Sequence, residues 1–186
     1  MNVISVERIR RLYKGADETL TARIEKAVDL VNEAADPKEM TAHFEVGEDL
    51  LLGDFCPAGN DIRKHLEGAT AVVVGVCTLG ANVDRLLETL QVKDLATAYI
   101  ADIAASYAVE NLAESIWQRL KAEAESRGET CTTRYSPGYG DFDLGGQKDL
   151  LRIAGADKAL NVRVNDGGMM YPSKTITFLV GVVPKP

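Results

Sequence analysis

The chain has 186 residues, 46% of them hydrophobic, and carries 28 acidic against 21 basic side chains for a net charge of −7. That length supports one well-cored domain rather than two, and the acidic balance argues against nucleic acid, whose phosphates require a basic stripe. The longest apolar run, Ala69 to Leu79, falls short of the ~20 residues that span a bilayer, so no membrane partner is expected.

The first segment, Met1 to Arg11, has Glu7, Arg8, Arg10 and Arg11 among its apolar residues. These charges break the apolar stretch a secretory signal needs, and the expected location is the cytoplasm. Ile4, Ile9 and Leu12 predict a short helix ending at Gly15. Leu20, Ile24, Ala27, Val28 and Val31 recur at helical spacing until Asp36-Pro37 stops them. Met40, Ala42, Phe44 and Val46 alternate with Thr41, His43 and Glu45, the pattern of a half-buried strand with His43 facing outward. A turn from Asp54 to Asn60 leads into a short helix from Asp61 to Leu66, closed by Gly68.

Ala71 to Cys77 reads as a buried strand, in which Cys77 is a small hydrophobe. Cys56, Cys77 and Cys131 are odd in number and form no Cys-x-x-Cys, which favours neither a disulfide framework nor a zinc site. Thr78-Leu79-Gly80 then turns the chain into a helix through Val83, Leu86, Leu87 and Leu90. A strand, a glycine turn and a helix start can hold an anion. With one glycine and no Gly-Lys-Ser/Thr, chain reversal is the simpler reading.

The longest helix is predicted from an Asp94 cap to Arg127, with Gly128 as its stop. At ~100° per residue, Tyr99, Ile103, Tyr107, Glu110, Glu114 and Trp117 fall along one stripe, which we read as its inward face. An inward Glu110 needs a cation or donors, because an unpaired buried carboxylate costs several kcal/mol. The alternative sets it at the wet edge of the stripe. Further on, Cys131, Thr133 and Tyr135 alternate as a strand, Leu144 to Ile153 reads as a helix broken at Gly155, and Leu160, Val162 and Val164 read as a strand before the Asn165-Asp166-Gly167-Gly168 turn. The last strand is Thr175 to Val183, followed by Pro184 and Pro186. This order predicts an α+β single domain with a largely antiparallel sheet packed by helices, one of them long and central. Residues 1–58 supply N-terminal helices and a strand to that domain, and 59–186 its core.

Between the strand at Cys131 and the helix at Leu144 lies Arg134-Tyr135-Ser136-Pro137-Gly138-Tyr139-Gly140-Asp141-Phe142. Pro137 fixes φ, Gly138 and Gly140 let the backbone double back, and backbone polar groups are thereby expected to stand open. Arg134 offers a fork of donors for a carboxylate or phosphate, and Tyr135 and Tyr139 offer faces for a ring or a cation. A small zwitterion fits that set, whereas a surface ion pair is the plainer use of Arg134.

Arg134-x-x-Pro137-Gly138-Tyr139, with Gln147-Lys148 and Met169-Met170-Tyr171-Pro172-Ser173-Lys174 at their spacing, resembles the activation domain of cobalamin-dependent methionine synthase, in particular free-standing, single-domain members of that family. The resemblance runs from about residue 60 to 182. It implies the same fold and a site for S-adenosylmethionine, with Arg134 on the carboxylate, Ser136, Pro137, Gly138 and Tyr139 around the adenine and sulfonium, and Glu110 on the ammonium. It further implies that cobalamin sits on a partner, a methionine synthase core, and is reduced by an external donor such as flavodoxin or ferredoxin before methylation. A binding adaptor or sensor without methyl transfer, or a reactivator of another corrinoid methyltransferase, would carry the same loop. The family's N-terminal acid and C-terminal tyrosine have no match here. Lys174, at the head of a strand, reads as solvated.

Overall fold

The computed structural model describes residues 3–185; Met1, Asn2 and Pro186, the last of which the sequence sets beyond the final strand, lie outside the described residues. In chain order the elements are α1 (Val6–Arg10), α2 (Glu18–Ala34), β1 (Lys38–Glu45), α3 (Asn60–His65), β2 (Ala71–Thr78), α4 (Ala81–Lys93), α5 (Leu95–Ser126), β3 (Glu129–Cys131), α6 (Gly146–Ala154), α7 (Ala156–Ala159), β4 (Arg163–Val164), β5 (Met170–Tyr171) and β6 (Thr175–Pro184). The two longest helices start at side-chain caps: Asp17 accepts the Leu20 N–H at α2, and Asp94 accepts the Thr97 N–H at α5.

Four strands form an antiparallel sheet in the order β1-β2-β6-β3, and β4 pairs with β5 as a separate hairpin. The central pair is in register from Ala71 opposite Val182 to Thr78 opposite Thr175. Both faces of β2 are covered, which explains its unbroken apolar run. On one face Val73, Cys77, Phe178 and Val180 pack against α2, α4 and α5; on the other Val72, Val74, Val76 and Leu179 meet Leu52, Ile62, Leu66, Leu150 and Leu151. Cys77 is fully buried, and burial pushes its thiol up to about 12, so it behaves as a hydrophobe.

The α+β reading of the sequence holds, but the inward face of α5 differs from the expected stripe. Its buried residues are Thr97, Ala98, Ile100, Ala101, Ala104, Ala105, Ala108, Val109, Ala113, Ile116, Leu120 and Ala124, while Tyr99 is 65% exposed and Glu110 and Glu114 face water. Small side chains let the helix backbone lie close to the sheet, so the aromatic residues Tyr99, Tyr107 and Trp117 are displaced to the flank. Glu110 therefore occupies the wet edge.

Two strands are shorter than the alternation predicts. Beyond Cys131, the Thr132 N–H still reaches the Gly181 carbonyl, but the Thr132 hydroxyl accepts the Gly181 N–H and the Thr132 carbonyl accepts Trp117 Nε1, so side chains take over the return bonds, and Tyr135 returns only as a bridge to Leu179. Leu160 still closes α7 through its N–H to Ala156, and Asn161 has φ 54°, which leaves only Arg163 and Val164 extended.

Candidate functional site

The loop from Arg134 to Phe142 is held at three points. Asp141 accepts the N–H groups of Asn60 and Asp61 at 2.6 and 3.0 Å, and those donors hold its carboxyl below the usual carboxylate range. Tyr135 donates from its hydroxyl to the Tyr139 carbonyl at 3.2 Å, and its ring lies between His65 and Phe142, with centroids at 4.8 and 6.5 Å. Burial, then the charges of Asp61 and Asp141, push that phenol upward and keep it a donor. Gly138 and Gly140 take φ of 91° and 53°, the left-handed turns a β-carbon disfavours.

The backbone donors expected to stand open are instead committed. The Gly138 N–H donates to the Phe142 carbonyl at 2.8 Å and the Tyr139 N–H to the Ser136 carbonyl at 3.2 Å. Pro137 is buried. Proline and glycine thus shape the loop, and of its side chains Arg134, Ser136 and Tyr139 line the cleft.

That cleft, about 190 Å³, is lined by Glu110, Glu114, Trp117, Arg134, Ser136 and Tyr139 with Thr133 and Ile176. Of the residues proposed from sequence, Arg134, Ser136, Tyr139 and Glu110 meet there, while Pro137 and Gly138 do not line it. Arg134 Nη2 stands 3.2 Å from Glu110 Oε2 and 3.6 Å from Glu114 Oε2, and its guanidinium carbon lies 5.7 Å from the centre of the Phe178 ring. Glu114 was legible as one more member of the helical stripe, four residues after Glu110, yet nothing in spacing gave it a role. Both glutamates are largely exposed and the arginine side chain is 23% exposed. Ion pairs in such a setting contribute ~0–1 kcal/mol, so these three charges are exchangeable for those of a ligand.

Lys174 is tethered rather than solvated, although Met169 and Tyr171 before it are exposed. Lys174 Nζ donates to Asp102 at 2.7 Å and to the Ser106 hydroxyl at 3.0 Å, with only 13% of the side chain exposed, because its strand starts beside α5. The Ser173 N–H donates to Asp84, a buried carboxylate in the first turn of α4. An acid at that helix start opposes an anion, so Thr78-Leu79-Gly80 is chain reversal. Among the described residues no cluster of three His, Cys, Asp or Glu could hold a metal ion, and no helix is long and apolar enough to cross a membrane.

Comparison with solved structures finds a likeness over the whole chain to a crystal structure of the MetH reactivation domain bound to AdoHcy. The TM-score is 0.62 at 12% sequence identity, and the match covers 100% of this chain and 75% of that one. The chain has the fold of that domain. No protein-family model and no curated protein matches the sequence.

Proposed function

We propose that this chain binds S-adenosylmethionine at the Arg134 cleft and presents its methyl group to cobalamin held by a partner, in the reductive reactivation of a cobalamin-dependent methionine synthase. The observation that carries the reading is one guanidinium shared by two carboxylates, at the wall of a cleft beside the exposed ring of Tyr139, on this fold. The donor set fits the ligand: Arg134 suits the carboxylate, Glu110 and Glu114 suit the ammonium, and Tyr139 suits adenine or the sulfonium.

The sulfonium supplies an activated methyl group, and the chain's own work is to bind and orient it. Arg134 and the glutamates fix the amino-acid end, and the loop pinned by Asp141 fixes Tyr139. Reducing power comes from an external electron donor such as flavodoxin or ferredoxin. The test combines this protein, S-adenosylmethionine and a reductant with an oxidised synthase core. Recovery of synthase activity supports the reading. Ligand binding without methyl transfer would assign the chain to a sensor or adaptor role, and recovery only with a different corrinoid protein would reassign the partner.

A further inference from the structure

We propose that Arg8, from the N-terminal helix α1, is a second carboxylate-binding and specificity-determining residue of this site; the inference rests on the S-adenosylmethionine reading above.

A second, open cavity of about 280 Å³ shares Glu110, Glu114 and Arg134 with the first and is lined in addition by Arg8 and Tyr107. The first cleft alone falls below the range of roughly 300–1,000 Å³ usual for small-molecule sites, and the two together reach it. A ligand of nucleoside plus amino acid thus extends past Arg134 toward α1.

Charge selects which end lies there. Arg134 already faces two carboxylates, so this group of three carries one net negative charge. A ligand carboxylate brought to Arg134 alone would meet that repulsion. Arg8 makes no ion pair within 4.0 Å among the described residues, and its guanidinium carbon stands 5.1 Å from the centre of the Tyr107 ring. Stacking on Tyr107 holds the cation one helical turn before Glu110 without consuming its hydrogen bonds. Arg8 cancels the net charge and leaves a fork of donors for the carboxylate. The glutamates are then released to take the ammonium.

The test is calorimetric titration of S-adenosylmethionine and of decarboxylated S-adenosylmethionine into wild type, Arg8→Gln and Arg8→Lys. Arg8→Gln is expected to weaken S-adenosylmethionine by about tenfold, the scale of one charge-assisted contact. It should leave the decarboxylated ligand unchanged, and Arg8→Lys should recover part of the loss. Equal weakening of both ligands, or no change in either, overturns the assignment to Arg8 while the site stands. No binding of either ligand by wild type overturns the function reading, and this inference with it.

Discussion

Arg134 Nη2 meets Glu110 Oε2 at 3.2 Å across 24 residues of sequence, joining the loop to the flank of the longest helix. If this pair holds the amino-acid end of a ligand, Arg134→Ala should weaken S-adenosylmethionine by about 2–3 kcal/mol, some thirty-fold or more. Calorimetry on the folded variant measures it. Unchanged affinity would move the ligand elsewhere.

Glu110→Gln and Glu114→Gln remove the negative charges without changing side-chain size. Each should weaken S-adenosylmethionine by about tenfold, while 5′-methylthioadenosine, which lacks the amino-acid end, binds as before. A parallel loss for both ligands would show that the glutamates shape the cleft rather than recognise the ammonium.

Asp141 binds the α3 amides only as a carboxylate. Its folded value is depressed, so its stabilisation is present above the ordinary 3.8 and is lost as pH falls through the lower folded value. Asp141→Ala should therefore weaken ligand binding at neutral pH, by loosening Tyr139, and remove part of the acid-limb loss of stability. Acid unfolding curves of the two proteins that coincide would count against the anchor.

Asp94 offers a second acid-limb test remote from the cleft. The Thr97 hydroxyl and N–H, with Arg23, lower its carboxyl from 3.8 to about 2. The stabilisation is full above pH 3.8 and disappears as pH falls through about 2. Asp94→Ala should lower the melting midpoint at neutral pH by about 2–4 °C, a typical loss for a helix cap in a domain of this size, with S-adenosylmethionine affinity unchanged.

Gly75 lies opposite Phe178, and a β-carbon there would press into the buried Phe178 ring. Gly75→Ala should cost about 1–3 kcal/mol by overpacking, read from denaturant unfolding. Because Arg134 stands over the same ring, a measurable loss of ligand affinity should accompany it. Full affinity in a destabilised variant would show that the position of the Phe178 ring does not set that of the guanidinium.

The sequence by itself determined most of the elements and the place of the loop, but not α7 or β5. Alternation and helical spacing marked β1, β2, β6 and α2 to within a few residues, and Asp94 and Gly128 marked the ends of α5, because caps, glycine turns and apolar periodicity are local effects of the chain. The chemistry of Arg134 and Tyr139 was legible for the same reason. Tertiary structure alone decided which face of α5 turns inward, since close approach to the sheet favours alanine over tyrosine and no periodicity of large residues records that. It also decided that Lys174 is held by Asp102, that Glu114 stands near Arg134, and that Arg8 lines a cavity together with Arg134. Each depends on chain segments brought together only when the apolar faces of the helices and sheet are buried, and local sequence carries no measure of that distance.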